Sequence, residues 1–313
     1  MSQNMMSKSG REYTVELWRF FFCMAVLGLH FFIKTEYSFF RAGYLGVEFF
    51  FLLSGYGIYS YYMKCINGKN MGERWYQFGR YIGARIIRLY PLYFLSLLCM
   101  LVFRIVAEKW SLVRIVNYMK AGWAEFLLLQ CGPLGDAVLI SPHWYVAAFF
   151  WGSVILLLLL LFTGKVGGYL LCPVISVVIY RYYIGLIGKI DIIYSYHAVL
   201  RALAGLSLGV FIGFAVSFVH AKKTEIPSWI RMSGYIIGNL ILLGVFIYTN
   251  FGHRSLMDFV VIGLYAVALF LLFAVQIPVG QKKKALFQRL SSWTYPIYLF
   301  QMPIIECLFF LVK

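Results

Sequence analysis

The stretch Glu16-Leu-Trp-Arg19-Phe-Phe-Phe-Cys-Met-Ala-Val-Leu-Gly-Leu-His30 is an apolar run with an arginine near its start and a histidine near its end. In a helix that turns by ~100° per residue, Arg19 and His30 lie on one face, ~16 Å apart along the axis. A charged residue and a titratable base on one stripe of a membrane helix indicate a functional site. The alternative is a snorkelling arginine and an unrelated, satisfied interior histidine.

Around this stretch, the whole composition is that of a polytopic membrane protein. The 313 residues are 62% hydrophobic and 13% charged, with a mean hydropathy of +0.80, whereas soluble domains are ~25% charged. The net charge of +16 could indicate nucleic-acid binding, but the basic residues lie in short segments between apolar runs, as the positive-inside rule describes. We therefore expect no nucleic-acid partner. The six cysteines are dispersed, which predicts neither a disulfide framework nor a metal site.

Apolar runs predict an all-α transmembrane bundle of about nine to ten spans, in a single domain over residues 1–313. The predicted spans are 15–33, 43–62, 86–106, 144–163, 166–182, 198–219, 233–250, 258–278 and 292–312. A weaker stretch, 122–131, is too short to cross and is predicted to be re-entrant or interfacial. Basic residues concentrate in the loops 63–85, 220–232 and 279–291, which fall on one side if the N-terminus is cytoplasmic. This pattern predicts a protein of the cell membrane. The N-terminus is not expected to be a cleavable signal peptide, because charged residues interrupt it at Glu12, Glu16 and Arg19.

Glu48, near the start of the second span, is a candidate partner of His30. A short connection between antiparallel helices would place the two at similar depth, and a carboxylate can orient a histidine that acts as a base. The alternative is that Glu48 neutralises an arginine such as Arg41 or Arg201.

Arg85 and Arg88, at the start of the third span, are three residues apart and share a helix face. Two guanidinium groups at a membrane edge suit a phosphate or pyrophosphate. The alternative is a positive-inside anchor that contacts lipid headgroups.

A second set of residues is predicted at the outer side of the membrane. His143 and Trp144 open the fourth span, where aromatic residues form either a belt or a stacking platform for a sugar. Arg201 lies about one turn inside the sixth span and needs a partner or a water-filled cavity. Tyr295 precedes one of two prolines in the last span, which free backbone carbonyls where a cavity is lined.

Together, these segments resemble the acyltransferase family 3 membrane proteins of bacteria, along nearly the whole chain. Four matches carry the resemblance: Arg19 with His30 in an R-x10-H spacing, Gly46-Val-Glu48-Phe-Phe-Phe-Leu-Leu-Ser54-Gly55, Arg85-Ile-Ile-Arg88-Leu-Tyr-Pro91, and Trp293-Thr-Tyr295-Pro-Ile-Tyr298-Leu.

The resemblance implies an enzyme that transfers an acyl group, most often acetyl, from acyl-CoA to a hydroxyl of a lipid-linked or surface glycan. It implies acyl-CoA as co-substrate rather than a permanently bound cofactor, with a glycan and membrane lipid as partners. Carried onto this chain, His30 is the general base and Arg19, Arg85 and Arg88 hold the donor. His143, Trp144, Arg201 and Tyr295 are then candidates for the acceptor side.

The sequence departs from the family pattern in three ways. Phe149 stands in the fourth span where many members have a glutamate, which leaves Glu48, or no residue, as the partner of His30. Gln301 stands where a histidine is frequent. Nine clear spans are found where the family commonly has ten.

Two other functions fit multiple spans with intramembrane charges. One is a transporter or flippase of a lipid-linked sugar, although the chain has no visible repeat symmetry or pair of broken helices. The other is a membrane scaffold, which would tolerate substitution of both Arg19 and His30.

Overall fold

The computed structural model describes residues 13–35, 37, 39–132, 138–193, 195–222, 226–277 and 280–312. These residues form helices and contain no strand. The helices are α1 (Tyr13–Phe32), α2 (Gly46–Tyr61), α3 (Met71–Ala107), α4 (Leu112–Ala121), α5 (Trp123–Phe126), α6 (Trp144–Val166), α7 (Cys172–Leu186), α8 (Ser195–Ala221), α9 (Ser228–Phe251), α10 (Met257–Val275) and α11 (Gln281–Val312).

Seven helical stretches in the described residues are long and apolar enough to cross a membrane. One of them, Ser141–Leu186, contains two arms, because Gly164 has a φ of +64° and breaks the helical path. Both arms pack along α8, in opposite directions. In the first arm, Gly152 lies beside Ala202. In the second arm, Gly168 lies beside Phe214, and the Tyr183 hydroxyl donates a hydrogen bond to the His197 carbonyl. With these arms separated and the shorter α2 added, each of the nine predicted spans corresponds to a helix. The chain is therefore a multi-pass membrane protein.

Two helices extend well beyond their predicted spans. α3 begins at Met71 rather than at residue 86, because the Asn70 side chain caps it by accepting the Glu73 N–H at 2.9 Å. α11 likewise begins at Gln281 rather than at residue 292. The added turns are rich in charged residues, so hydropathy excluded them although they are helical.

α8 lies at the centre of the bundle and runs parallel to α2. Glycines allow the two backbones to approach closely: a Cβ on Gly55 would overlap the Leu206 carbonyl oxygen, and one on Gly209 would overlap that of Leu52. This seam brings the first turn of α2, with Glu48, beside the first turns of α8, with Arg201.

The basic segments meet at one end of the bundle, which we call the basic end. α2, α8 and α10 all terminate there: the rings of Tyr56 and Phe273 stack at 3.8 Å, and the His220 Nε2 lies 2.9 Å from the Ala274 carbonyl oxygen. α1 begins at the same end and finishes, with His30, at the opposite one, which we call the His30 end.

The 122–131 stretch does not cross the bundle but dips into it from the His30 end. The Tyr93 hydroxyl donates to the Glu125 carbonyl at 2.7 Å and the Trp151 indole donates to that of Leu128 at 2.8 Å, so the segment lies between α3 and α6. Tyr93 is 14 residues, or ~20 Å, before the end of α3. Since α3 ends and α6 begins at the His30 end, the segment is re-entrant, one of the two predicted possibilities.

Candidate active site

His30 lies on the last turns of α1, where the backbone fixes its tautomer. Its Nδ1 lies 2.8 Å from the Val26 carbonyl oxygen. A carbonyl can only accept, so Nδ1 carries the hydrogen and the lone pair of the neutral ring is on Nε2. The ring is half-buried, and the Gln301 side chain of α11 reaches it. A backbone carbonyl therefore orients the ring, and no carboxylate of the described residues is hydrogen-bonded to it.

Arg19 lies on the same unbroken helix, three turns toward the basic end. Its Nη1 donates to Glu16 Oε2 at 2.8 Å, and the same carboxylate oxygen accepts a hydrogen bond from the Ser291 hydroxyl of α11. The Nε of Arg19 is buried and has no hydrogen-bond partner in the described residues. One carboxylate thus positions Arg19 and leaves part of its donor set unused.

Arg85 is held between two aromatic rings rather than by a carboxylate. Its guanidinium carbon lies 4.9 Å from the ring centre of Tyr81, on α3, and 4.9 Å from that of Phe149, on α6. Phe149 is the residue that replaces the expected glutamate of the fourth span. A π face attracts the cation without occupying its N–H groups, so these stay available to an anion.

Arg88 is exposed, and its charge acts on the Tyr295 hydroxyl of α11. That hydroxyl donates to the Leu89 carbonyl at 2.7 Å. Tyr295 therefore lies beside the predicted donor arginine Arg88, because α3 and α11 pack side by side at this level, and its acceptor-side role stays a prediction.

The Tyr145 hydroxyl of α6 marks the point where these helices converge. It lies near the Ser54 hydroxyl of α2 and within the electrostatic range of both Arg19 and Arg85. Its ring also contacts that of Tyr298 of α11, with the ring centres 5.2 Å apart. Side chains of α1, α2, α3, α6 and α11 thus surround one region.

Glu48 pairs with Arg201, as the alternative interpretation had it, and not with His30. Arg201 Nε donates to Glu48 Oε1 at 2.6 Å, and both side chains are fully buried. The other carboxylate oxygen has no hydrogen-bond partner in the described residues. The physical reason is that a buried, permanently charged guanidinium requires a counter-ion more strongly than a neutral imidazole does.

Arg201 has a second partner in Asp191, from the loop between α7 and α8. Its Nη1 donates to Asp191 Oδ1 at 3.0 Å, while Arg254 donates to Oδ2 at 2.7 Å. Burial disfavours the charged carboxylate, but the charges of the two arginines outweigh burial and lower the pKa of Asp191. Trp144, 8% exposed, covers the guanidinium with its ring centre at 4.9 Å. Arg201 and Trp144 therefore belong to a buried ion-pair cluster, and their acceptor-side role stays a prediction.

His143 is fully buried in a polar cluster that holds the re-entrant segment. Its Nε2 lies 3.1 Å from Ser96 Oγ, and its Nδ1 lies 3.8 Å from Glu125 Oε1. The Glu125 carboxylate accepts hydrogen bonds from the backbone N–H groups of Leu139 and Ile140 at 2.6 and 3.1 Å. Ser96, His143 and Glu125 contact one another in the order of the serine, histidine and acid of a hydrolase triad. All three side chains are fully buried, however, and the Ser96 hydroxyl donates a hydrogen bond to the Tyr93 carbonyl. The cluster holds the re-entrant segment against α3 and α6, and the acceptor-side role of His143 stays a prediction.

The sequence interpretation missed Glu16, Glu125, Asp191 and Tyr145. Glu125 and Asp191 are carboxylates in segments that were not assigned to spans, and their partners lie far along the chain. Glu16 was visible as an acidic residue one turn before Arg19. Nothing in the sequence distinguishes Tyr145 from the other 23 tyrosines, because its position depends on five helices.

The comparisons agree with this architecture. A family model for an acyltransferase domain, acyltransferase family 3, matches residues 12–313. No curated protein and no solved structure matches the chain. Because the matched region is essentially the whole chain, the protein belongs to acyltransferase family 3 and is an acyltransferase embedded in a membrane by a helical bundle.

Proposed function

We propose that this enzyme transfers an acyl group, acetyl in the simplest case, from acyl-CoA to a hydroxyl of a lipid-linked or cell-surface carbohydrate. The donor enters at the basic end, where Arg19, Arg85 and Arg88 hold its phosphates. The acceptor hydroxyl approaches His30 from the opposite end. The basic end faces the cytosol, so the enzyme resides in the cytoplasmic membrane.

The observation that carries this proposal is the geometry of α1. Arg19, whose buried Nε has no hydrogen-bond partner among the described residues, and His30, whose Nε2 carries the lone pair, share one face of an unbroken helix. They are eleven residues apart in the sequence, which corresponds to ~16 Å along the helix axis. This separation suits a donor whose phosphates bind at one end while its thioester reaches a base deeper in the bundle.

The reaction balances with His30 alone as the proton carrier. His30 Nε2 takes the proton of the acceptor hydroxyl as the oxygen attacks the thioester carbon, and the carbonyl electrons move to oxygen. Collapse of this intermediate reforms C=O and breaks the C–S bond. The imidazolium then returns the proton to the leaving CoA thiolate. A neutral imidazole is suited to both transfers near pH 7.

The experiment is glycan acylation by His30→Gln, since an amide cannot accept the proton. Cells that express the variant at wild-type level are analysed by mass spectrometry of their surface and lipid-linked glycans, and proteoliposomes are supplied with labelled acetyl-CoA. We expect a loss of ~10²- to 10⁴-fold. His220→Gln is the matched control, because His220 contacts the Ala274 carbonyl at the basic end.

Two outcomes contradict the proposal. Undiminished acylation in His30→Gln would remove the base assignment. Movement of a labelled lipid-linked sugar across the proteoliposome membrane without any acyl donor, and without acyl product when the donor is added, would indicate transport.

A further inference from the structure

Tyr145 is the strongest unassigned feature near the proposed donor path. It lies in the first turn of α6, deep among five helices, yet its side chain is only half-buried. Its hydroxyl lies near the Ser54 hydroxyl and within the electrostatic range of Arg19 and Arg85, and the Phe149 ring that Arg85 contacts is stacked on the Tyr145 ring. A polar group that keeps accessible surface beside two cations is placed to meet a ligand.

The ring of Tyr145 is fixed by packing. It lies parallel to the ring of Phe149, at 9° with the centres 6.0 Å apart. The Phe51 and Tyr298 rings contact it from α2 and α11, with the centres at 5.0 and 5.2 Å. The hydroxyl therefore has a defined position before any substrate binds, which is the condition for preorganised catalysis.

The level of Tyr145 lies between the arginine and the base. Contacts along α11 give the levels of these residues in the bundle. Ser291 contacts Glu16 beside Arg19, Tyr298 contacts Tyr145, and the Gln301 side chain reaches His30. At 1.5 Å per residue, Tyr298 is ~10 Å beyond Ser291 and ~4–5 Å before Gln301. Tyr145 is therefore closer along the bundle axis to His30 than to Glu16, the partner of Arg19.

Neighbouring tyrosines are less suited to donate to a substrate. The hydroxyls of Tyr295 and Tyr298 donate to the carbonyls of Leu89 and Pro142 at 2.7 and 2.6 Å. A carbonyl partner holds the tyrosine proton. No hydrogen bond from the Tyr145 hydroxyl to a carbonyl is found among the described residues. The Ser54 hydroxyl near it can donate as well as accept, so the Tyr145 proton can be turned toward a ligand.

We propose that the Tyr145 hydroxyl donates a hydrogen bond to the acyl carbonyl oxygen of the donor thioester and stabilises the oxyanion that forms when the acceptor attacks. This inference rests on the proposed function. The bond changes are those described for His30, and the Tyr145 proton stays on Tyr145 throughout. Arg19 and Arg85 favour the negative charge that the hydroxyl shares.

The test is Tyr145→Phe, which retains the ring and its stacking. Purified enzyme in proteoliposomes is assayed for CoA release from acetyl-CoA and for acylated glycan over a range of donor concentrations. We expect kcat to fall by ~10²- to 10³-fold, with the donor KM and the Kd of unacylated CoA within about threefold of wild type. Tyr298→Phe is the control, and its kcat should stay within about threefold of wild type.

A Tyr145→Phe kcat equal to that of wild type or of Tyr298→Phe would overturn the role of Tyr145, as would a raised donor KM with unchanged kcat. If Tyr145→Phe does not fold, Ser54→Ala gives the second test, because it removes the polar group that lies near the Tyr145 hydroxyl. We expect a three- to tenfold lower kcat, while an unchanged kcat overturns the role. If the wild type transfers acyl groups from acyl-CoA and the Tyr145→Phe variant is equally active, only this inference is refuted. Failure of the wild type to use acyl-CoA refutes it together with the proposed function.

Discussion

Arginines inside this bundle are held in two different ways. Arg201, in the half of the molecule built around α8, is fully buried and bonds two carboxylates, with Glu48 at 2.6 Å and Asp191 at 3.0 Å. Arg85, in the half formed by α1, α3, α6 and α11, is half-buried between the rings of Tyr81 and Phe149, each 4.9 Å from the cation.

The difference separates a structural charge from one that can bind a ligand. Two carboxylates balance the charge of Arg201, and together with the Tyr44 carbonyl they accept a hydrogen bond from each of its three nitrogens, so little remains for an anion. Aromatic faces hold Arg85 through the ring quadrupole and leave its donors unused. Burial alone is therefore a poor guide to function in this protein, and the chemistry of the partner decides.

The largest effect should follow from breaking the buried ion pair of Arg201 and Glu48. Arg201→Met keeps the volume but leaves Glu48 and Asp191 buried without their shared counter-ion. Removing one partner of a buried ion pair costs about 3–5 kcal/mol, so we expect the apparent melting temperature in detergent to fall by on the order of 10 °C. Arg85→Met should leave the melting temperature within about 2 °C of wild type and raise the donor KM by ~10-fold or more.

A double variant sharpens this comparison. Arg201→Met with Glu48→Gln removes the unpaired carboxylate as well and should recover part of the lost stability. If Arg201→Met melted like the wild type but failed to transfer acyl groups, Arg201 would belong to the binding site and the distinction drawn from its partners would fail.

Glu125 should make stability depend on pH. Burial raises the pKa of Glu125 to about 7 from an ordinary 4.5, although the N–H groups of Leu139 and Ile140 oppose the shift. Because the folded pKa is the higher one, the contribution of Glu125 is fully present below pH 4.5 and is lost as the pH rises to about 7. The change is on the order of 3 kcal/mol.

Thermal melts of wild type and Glu125→Gln between pH 4.5 and 8 measure this contribution. The wild type should lose stability relative to the variant as the pH rises through this window, and the variant should have a flatter profile. Parallel profiles would show that Glu125 titrates alike in the folded and unfolded chains.

Much of the fold could be predicted from the sequence because membrane spans are encoded locally. Each apolar run corresponds to one helix, since a lipid environment requires every backbone group to be bonded within its own segment. The beginnings of α3 and α11 were misplaced because their first turns are helical but charged. Asn70 was the available signal for the start of α3.

The candidate site was predictable only where one helix contains it. Arg19 and His30 share a face of α1, so their spacing fixes their relation. The partner of Glu48 depended on how α2 packs on α8, and hydropathy contains no such information. The proximity of Tyr295 to Arg88 could not be predicted for the same reason, because it depends on the contact of Tyr295 with the Leu89 carbonyl of another helix.

The seam between α2 and α8 keeps Glu48 and Arg201 together and offers a smaller test. A Cβ on Gly209 would overlap the Leu52 carbonyl oxygen, whereas nothing lies within 4 Å of a Cβ on Gly244. We expect Gly209→Ala to lower stability by about 1–3 kcal/mol through overpacking. Gly244→Ala should leave it unchanged or raise it by up to about 1 kcal/mol. Equal melting temperatures for the two variants would mean that the helices can separate freely.

The smallest effect concerns the ring that holds Arg85 in place of a carboxylate. Phe149→Leu removes one of the two π faces, which contributes about 0.5–2 kcal/mol. We expect the donor KM to rise two- to tenfold, measured by CoA release at varied acetyl-CoA. Phe149→Tyr retains the face and should match the wild type, while Phe149→Glu should convert Arg85 into a paired cation like Arg201 and weaken donor binding further. A donor KM in Phe149→Glu at or below that of wild type would show that a carboxylate partner leaves Arg85 free to bind the donor.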